Sequence, residues 1–347
     1  MSTIHDVARH ARVSITTVSR VLNGTGRVNA EMAERVRASA HALRYRPSHA
    51  ARTLRVNRSQ IIGLLVTDIG NPFFTTLVRG VEDVVQQHGF SLILCNSDED
   101  EDKERQYVEV LCAEQVAGAI VVPTCERKGT LRTFHEQNIS IVTVDRRVTG
   151  GDMDAVLVDN VGGAREAVAH LIANDFRHIG IITGPQSATT GRERLEGYRL
   201  ALQDAGIAPD PGLERCGSFR QESGRALTFD LLEQDGSIDA LFTANNSMTL
   251  GALEAAGALD RRIPDDIGLV GFDDMPWAAL RSVSLTSVMQ PAYELGSTAA
   301  LRLFRRLEHP HGLTRQDFVL APTLVIRDSS RPRNHSPANF VQSSSVR

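Results

Sequence analysis

The sequence predicts an α/β protein: an N-terminal all-α helix-turn-helix head, then a body of two lobes built on parallel sheets. Three observations carry this. Before residue 46, apolar residues recur at helical spacing in three short segments. From Ile61 onward, apolar runs of strand length alternate with amphipathic helices. The charge divides at the same place. Residues 1–58 hold 11 Lys and Arg against 3 Asp and Glu, a net of +8, while the other 289 hold 27 against 39, a net of −12. A basic module on an acidic body is the asymmetry expected when one end meets phosphates. The expected divisions are a head at 1–46, a linker at 47–59, a body at 60–328 and a disordered polar tail at 329–347.

In the head, Ile4, Val7, Ala8 and Ala11 fall at i, i+3, i+4 and i+7, with Thr3 placed to cap their helix. After the break Arg12-Val13-Ser14, Ser14 can cap a second helix. That helix is expected to turn Ile15, Val18 and Leu22 inward and Thr16, Thr17, Ser19, Arg20 and Asn23 outward, stopping at Gly24. A third helix after Asn29 is expected to bury Met32, Val36, Ala40 and Leu43. Two helices joined by so tight a turn and braced by a third make a helix-turn-helix. The basic segment 47–58, bounded by Pro47, has room for about two helical turns from Ser48, below the ~12–15 residues that hold a helix alone in water. It is expected to order only on binding.

In the body, strands are expected at 61–67, 90–96, 118–123, 139–145, 178–183, 240–244 and 266–272. Helices are expected at 73–88, 103–115, 161–174, 191–205, 247–259 and 293–307, among others. Near 160 the series runs on into a second set, which fits two α/β lobes better than one large sheet.

Several function classes are excluded on these residues. No run of 18 apolar residues offers a membrane span. The start, MSTIHDVARHARVS, has no apolar core like a signal peptide's, so the expected location is the cytoplasm. Cys95, Cys112, Cys125 and Cys216 show no metal or redox spacing, and reduced thiols are expected. The eleven His are scattered, so neither a metal nor a cofactor is expected. The acidic run 98–104 opens a helix, where carboxylates favour the N-terminal dipole, and a solvated helix start is expected there. There is no P-loop, no G-x-S-x-G and no G-x-G-x-x-G after a strand, so no catalytic residue can be named.

The stretch TIHDVARHARVSITTVSRVLNGTGRV (3–28) resembles the head of the lactose-repressor family almost position for position. YRPSHAARTLR (45–55), NPFF (71–74), VDN (158–160), GRERLEGY (191–198), ANNSMTLGAL (244–253), VGFDD (270–274) and LTSVMQP (285–291) come after it in the family's order. The resemblance covers roughly residues 2–328. It implies a transcriptional regulator, most simply a repressor, that binds a palindromic double-stranded operator as a homodimer under control of a small-molecule effector. Ile15, Thr16 and Arg20 would face the major groove, while Thr3, Ser14, Thr17, Ser19, Asn23 and Arg27 would hold phosphates. Leu54, beside Arg55, would enter the minor groove as an apolar wedge that kinks the duplex. Arg12 departs from the family, which usually has Gly in this turn; it strains the turn or adds a phosphate contact.

The resemblance implies a body like the periplasmic sugar-binding proteins, two lobes closing on a ligand. Its effector residues would be Phe73, Phe74, Asp145, Thr190, Arg194, Phe219, Asn245 and Asp273. Phe rings can stack on a sugar ring while Arg, Asn and Asp bond paired hydroxyls. Trp277 could close the mouth. Ala188 stands where purine-binding members carry Arg, which lowers the purine reading. Arg192 either serves a carboxylate, making the effector a sugar acid rather than a sugar, or is an ion-pairing residue of the lobe surface. With no leucine heptad after 328, a dimer is expected over a tetramer.

Overall fold

The computed structural model describes residues 2–23, 28–45, 59–127, 129–279, 284–309 and 313–331. The chain divides into two units, 1–59 and 60–347.

In the first unit, α1 (Ile4–Ala11) opens with a reciprocal cap. Thr3 Oγ1 accepts the Asp6 N–H at 3.3 Å, and Asp6 Oδ2 accepts the Thr3 N–H at 2.8 Å. The helix ends at Arg12, which takes the left-handed conformation at φ 53° and ψ 48°. Glycine adopts this conformation freely; a side chain there costs on the order of 1 kcal/mol. The expected strain at this turn is therefore present. α2 (Ile15–Asn23) and α3 (Ala30–Ala42) come next, with Asn29 Oδ1 accepting the Glu31 N–H at 2.9 Å to cap α3. Val7, Ala8, Ala11, Val18, Val36 and Ala40 form the core of the three helices. Met32 does not join it. It is 37% exposed, and Ser39 is buried instead.

The second unit holds two six-stranded sheets. The first has the order β11-β5-β4-β3-β1-β2, comprising β1 (Ile61–Val66), β2 (Ser91–Asn96), β3 (Gly118–Val121), β4 (Ser140–Val144), β5 (Asp154–Val158) and β11 (Asp317–Leu320). The second has the order β12-β10-β9-β8-β6-β7. It comprises β6 (Ile179–Thr183), β7 (Glu214–Cys216), β8 (Ala240–Thr243), β9 (Gly268–Phe272), β10 (Thr286–Met289) and β12 (Thr323–Val325). Every pairing is parallel except β10 with β12. The central strands are buried along their whole length, which is why they read as unbroken apolar runs.

Helices α4 (Pro72–Gln87), α5 (Glu101–Ala113), α6 (Arg132–Glu136) and α11 (Ala292–Glu308) belong to the first sheet. Helices α7 (Asn160–Ala173), α8 (Thr189–Asp204), α9 (Gln221–Gln234) and α10 (Asn246–Ala258) belong to the second. The chain passes between lobes after β5, between β10 and α11, and between β11 and β12. One buried cluster runs through both lobes, from Leu64 and Val142 to Phe242 and Phe272. α4 and α11 meet backbone to backbone. A Cβ added at Gly296 would lie 2.1 Å from the Leu77 carbonyl oxygen, and one at Gly80 would lie 2.2 Å from that of Tyr293.

All seven expected strands are present. The short strands β5, β7, β10, β11 and β12 stand in addition to them. The body runs past its expected end: Ser329 and Ser330 are each 1% exposed, and Ser329 Oγ donates to the Leu269 carbonyl at 2.6 Å. Of the expected tail, residues 332–347 lie outside the described residues.

Candidate functional site

Two groups of residues need placing, one in each unit. In the head, Ser14 caps α2 by accepting the Thr17 N–H at 3.1 Å, and its hydroxyl also lies 2.9 Å from that of Thr17. The short turn between α1 and α2 leaves the first residues of α2 in the open. Ile15 is 41% exposed, and Thr16 and Arg20 are exposed. Apolar periodicity alone turned Ile15 inward, and that expectation is corrected. Val18 defines the buried face; Thr16 and Arg20 stand about 160° from it at ~100° per residue and point away. Ser19, one residue on from Val18, sits on the flank of the helix and is only 6% exposed. It is therefore removed from the outward set. Thr3 is exposed, but its hydroxyl is already bonded to Asp6 at 2.8 Å. Arg27, Leu54 and Arg55, and the side chain of Asn23, lie outside the described residues.

In the body, Phe73, Phe74, Asp145, Thr190, Arg194, Phe219, Asn245 and Asp273 all line one cleft between the lobes, together with Asn71, Arg146 and Gln290. Local structure delivers each of them. Asn71 caps α4 through the Phe73 N–H at 2.9 Å, which fixes the two Phe rings edge to face with centroids 5.0 Å apart. Asn245 caps α10 through the Met248 N–H at 2.8 Å and donates to the Phe219 carbonyl at 2.9 Å. Asp145 and Asp273 stand just past the ends of β4 and β9, and Phe219 just before α9. All three take left-handed conformations, at φ 66°, 73° and 56° respectively. Three strained residues other than glycine converging on one cleft is a pattern seen where geometry serves a ligand.

The cleft is buried and its charges balance, two carboxylates against two guanidiniums. Burial raises the Asp145 carboxyl to about 6, although Arg146 and Arg194 draw it back down. Burial likewise raises Asp273, opposed by Arg194 and by the hydrogen bond from Gln290. Arg194 donates to Asn160 Oδ1 at 2.9 Å and to the Ala244 carbonyl at 2.5 Å, and lies 3.7 Å above the Phe272 ring. Arg146 makes a two-pronged pair with Glu99, at 2.7 and 2.6 Å. Three buried polar atoms here have no hydrogen-bond partner: Arg146 Nε, Thr190 Oγ1 and Gln290 Oε1. An unsatisfied buried polar atom costs about 1–3 kcal/mol; Arg146 Nε faces Asp145 Oδ2 at 3.6 Å, which leaves Thr190 Oγ1 and Gln290 Oε1 as open positions for a polar ligand. The cavity among these side chains is about 20 Å³. That is room for about one water molecule.

Sequence reasoning did not single out Asn71, Arg146 and Gln290. Asn71 and Gln290 sit inside the NPFF and LTSVMQP motifs, and Arg146 directly follows Asp145, so the signal was present. Two other expectations change. Trp277 packs against the cluster around Met275, Ala278 and Leu285 and is not among the residues lining the cleft. The acidic run 98–104 is only partly a solvated helix start. Asp100 caps α5, but Glu99 holds Arg146, and Glu104, 2% exposed, accepts the Thr124 N–H at 2.7 Å.

Comparisons with known proteins place these features. Residues 3–48 match the family described as bacterial regulatory proteins, lacI family, and residues 168–330 match the periplasmic binding protein-like domain. A ribose operon repressor from Halalkalibacterium halodurans is 36% identical over 336 residues, covering 97% of this chain and 99% of that one. Among solved structures, the lac repressor dimer bound to operator and the anti-inducer ONPF aligns with a TM-score of 0.83 at 27% identity, over 95% of this chain and 99% of that one. A LacI family transcriptional regulator from Enterococcus faecium with bound ribose aligns with a TM-score of 0.70 at 28% identity, over 78% of this chain and 99% of that one.

Proposed function

Because the chain belongs to the lacI family of bacterial regulatory proteins, we propose that it is an operator-binding repressor whose body takes a neutral monosaccharide, D-ribose first among the candidates. As a member of that family it is a DNA-binding transcriptional regulator and not an enzyme. It works as a homodimer on a palindromic operator, since a two-fold protein matches a two-fold site. The cytoplasm, where the operator lies, is its place of action. Among the described residues no helix is long and apolar enough to cross a membrane.

In the head, Thr16 and Arg20, with Ile15 beside them, supply the base-reading face, where an Arg side chain can bond guanine in two places. Ser14 and Thr17, at the start of the same helix, are suited to phosphate. The proposed division is a head to about residue 46, a linker to 59, and an effector and dimerisation body beyond it.

The observation that carries the effector reading is the cleft, where side chains from both lobes converge around two buried polar atoms with no hydrogen-bond partner, Thr190 Oγ1 and Gln290 Oε1. Three Phe rings give apolar faces, while Asp, Asn, Gln and Arg offer the alternating acceptors and donors that vicinal hydroxyls need. Between sugar and sugar acid, the charges favour the neutral compound. The lining acids and bases are equal in number, and Arg192 is already paired with Glu126 at 2.6 Å. The relatives point the same way, one named a ribose operon repressor and one solved with ribose bound.

The test is a thermal-shift screen of neutral sugars, sugar acids and nucleobases, then operator binding with and without the best ligand. D-ribose is expected to raise the melting temperature by mass action. Asp273→Ala is expected to keep operator affinity within about twofold and to lose the sugar response. A full response in that variant would remove Asp273 from the site.

A further inference from the structure

Glu99 stands outside the lining of the cleft, yet its carboxylate is wholly committed to one residue of that lining. It follows β2 and Arg146 follows β4, so the contact lies within the first lobe and does not cross the cleft. Arg146 Nη1 donates to Glu99 Oε2 at 2.7 Å, and Nη2 donates to Oε1 at 2.6 Å. Nη1 also reaches the Pro123 carbonyl at 3.3 Å, while Nε faces Asp145 Oδ2 at 3.6 Å. The pair is largely shielded from water, with side chains 4% and 19% exposed for Arg146 and Glu99. The backbone is strained to make it. Asp98 and Glu99 both take left-handed conformations, at φ 55° and 59°, where a side chain costs on the order of 1 kcal/mol each. Asp98 is held in turn by Asn96 Nδ2 at 2.6 Å and by Lys103.

A guanidinium takes a carboxylate or phosphate best through paired N–H groups. In Arg146 the pair on Nη1 and Nη2 is already closed by Glu99. The other guanidinium of the cleft, Arg194, has Nε on Asn160 Oδ1 and Nη1 on the Ala244 carbonyl. Neither offers an anion a free fork. With Glu99 counted beside Asp145 and Asp273, the carboxylates at this end of the cleft outnumber the guanidiniums. An anionic ligand would therefore add a negative charge to a buried place with no cation free to meet it, which is strongly unfavourable. We propose that Glu99 determines specificity: it positions Arg146 as a donor to hydroxyls and makes the cleft reject sugars that carry a carboxylate or phosphate. The inference rests on the reading of the cleft as a sugar site and names the ligand class that site excludes.

This role has a signature that a merely structural residue lacks. Loss of a structural contact weakens every ligand of the cleft alike. Glu99→Gln keeps the shape of the side chain but removes its charge, and an amide oxygen can accept from only one Nη group while the amide NH2 turns away the other. The change therefore moves the ratio of affinities for a neutral sugar and for an acid built on the same carbon skeleton.

The experiment is calorimetric titration of the full chain at neutral pH with D-ribose and with D-ribonate, the latter also by displacement of ribose, for wild type and Glu99→Gln. Wild type is expected to take ribose and to bind ribonate far more weakly. In Glu99→Gln the preference for ribose is expected to shrink about tenfold, about 1.4 kcal/mol, through a gain in ribonate affinity. A preference that stays unchanged, or that shrinks only because ribose binding is lost, overturns the role of Glu99 while leaving the sugar site intact. Wild type that binds ribonate as tightly as ribose overturns it as well. Wild-type protein that binds no neutral sugar overturns the reading of the cleft, and the role of Glu99 with it. Should Glu99→Gln fail to fold, Glu99→Asp keeps the charge on a side chain too short to span both Nη groups. It is expected to shrink the preference in the same direction by a smaller factor, and an unchanged preference there counts against the proposal.

Discussion

Asp145 shows how function and stability pull apart at a single side chain. Its carboxyl titrates near 6 in the folded protein, against an ordinary value of 3.8, because burial penalises the charge more than the nearby guanidiniums repay. The folded state therefore binds this proton more tightly than the unfolded chain does. Its contribution to stability is full below about pH 4 and is lost as pH rises through about 6. At neutral pH the ionised group costs the fold on the order of 3 kcal/mol. Asp145→Asn is expected to raise the pH 7 melting temperature by several degrees and to flatten its dependence between pH 4 and 7. The same change should weaken sugar binding, since the amide accepts fewer hydroxyls than a carboxylate. In wild type, sugar affinity should climb with pH to a plateau above about 6, with proton release on binding, readable by calorimetry in buffers of different ionisation enthalpy. A variant no more stable than wild type at pH 7 would contradict the cost assigned to that charge.

At the scale of elements, the lobe that carries Phe73 and Phe74 depends on how closely α4 approaches α11. Gly80 and Gly296 let the two backbones meet where any side chain would strike a carbonyl. Neither glycine needs a left-handed backbone, so the requirement is space. Gly296→Ala is expected to cost roughly 2–3 kcal/mol through overpacking and to lower the melting temperature of the full chain in calorimetry. It should also loosen sugar binding, because the N-terminus of α4 presents the rings. A melting temperature within one degree of wild type would show that the helices separate at little cost. The opposite kind of strain sits at Arg12, which holds a left-handed turn that glycine would hold more easily. The apolar pattern of the sequence singles out neither α9 nor β5. β5, DAVLV, is a five-residue buried run without alternation, and the buried positions of α9 include the small or polar Gly224 and Thr228 beside Leu231 and Leu232.

For the whole molecule, the split of +8 and −12 between the two stretches of chain means that DNA affinity and effector response depend on different physics. Operator binding should weaken steeply with salt as counterions return to the duplex, on the order of a hundredfold or more between 50 and 200 mM. Filter binding or fluorescence anisotropy on a palindromic operator would measure it, and a flat response would sink the assignment of the head. Binding of a neutral sugar, by contrast, should depend little on salt.

The sequence alone determined the division into a basic helical head and an acidic two-lobed body, the cap at Thr3 and the order of the main strands and helices. Each is a local property, written in the spacing of neighbours or in the conformational preference of one residue. The family resemblance also named eight residues, five of them inside the quoted motifs, that the tertiary structure brings into one cleft. Only the tertiary structure decided that Ser19 lies on the buried flank of its helix, that Met32 is exposed, and that Trp277 packs, half-buried, against a core cluster. It alone paired Arg192 with Glu126, 66 positions earlier in the chain and in the other lobe. Such pairings depend on where strand ends come together when two sheets face each other. No periodicity in the chain encodes that distance.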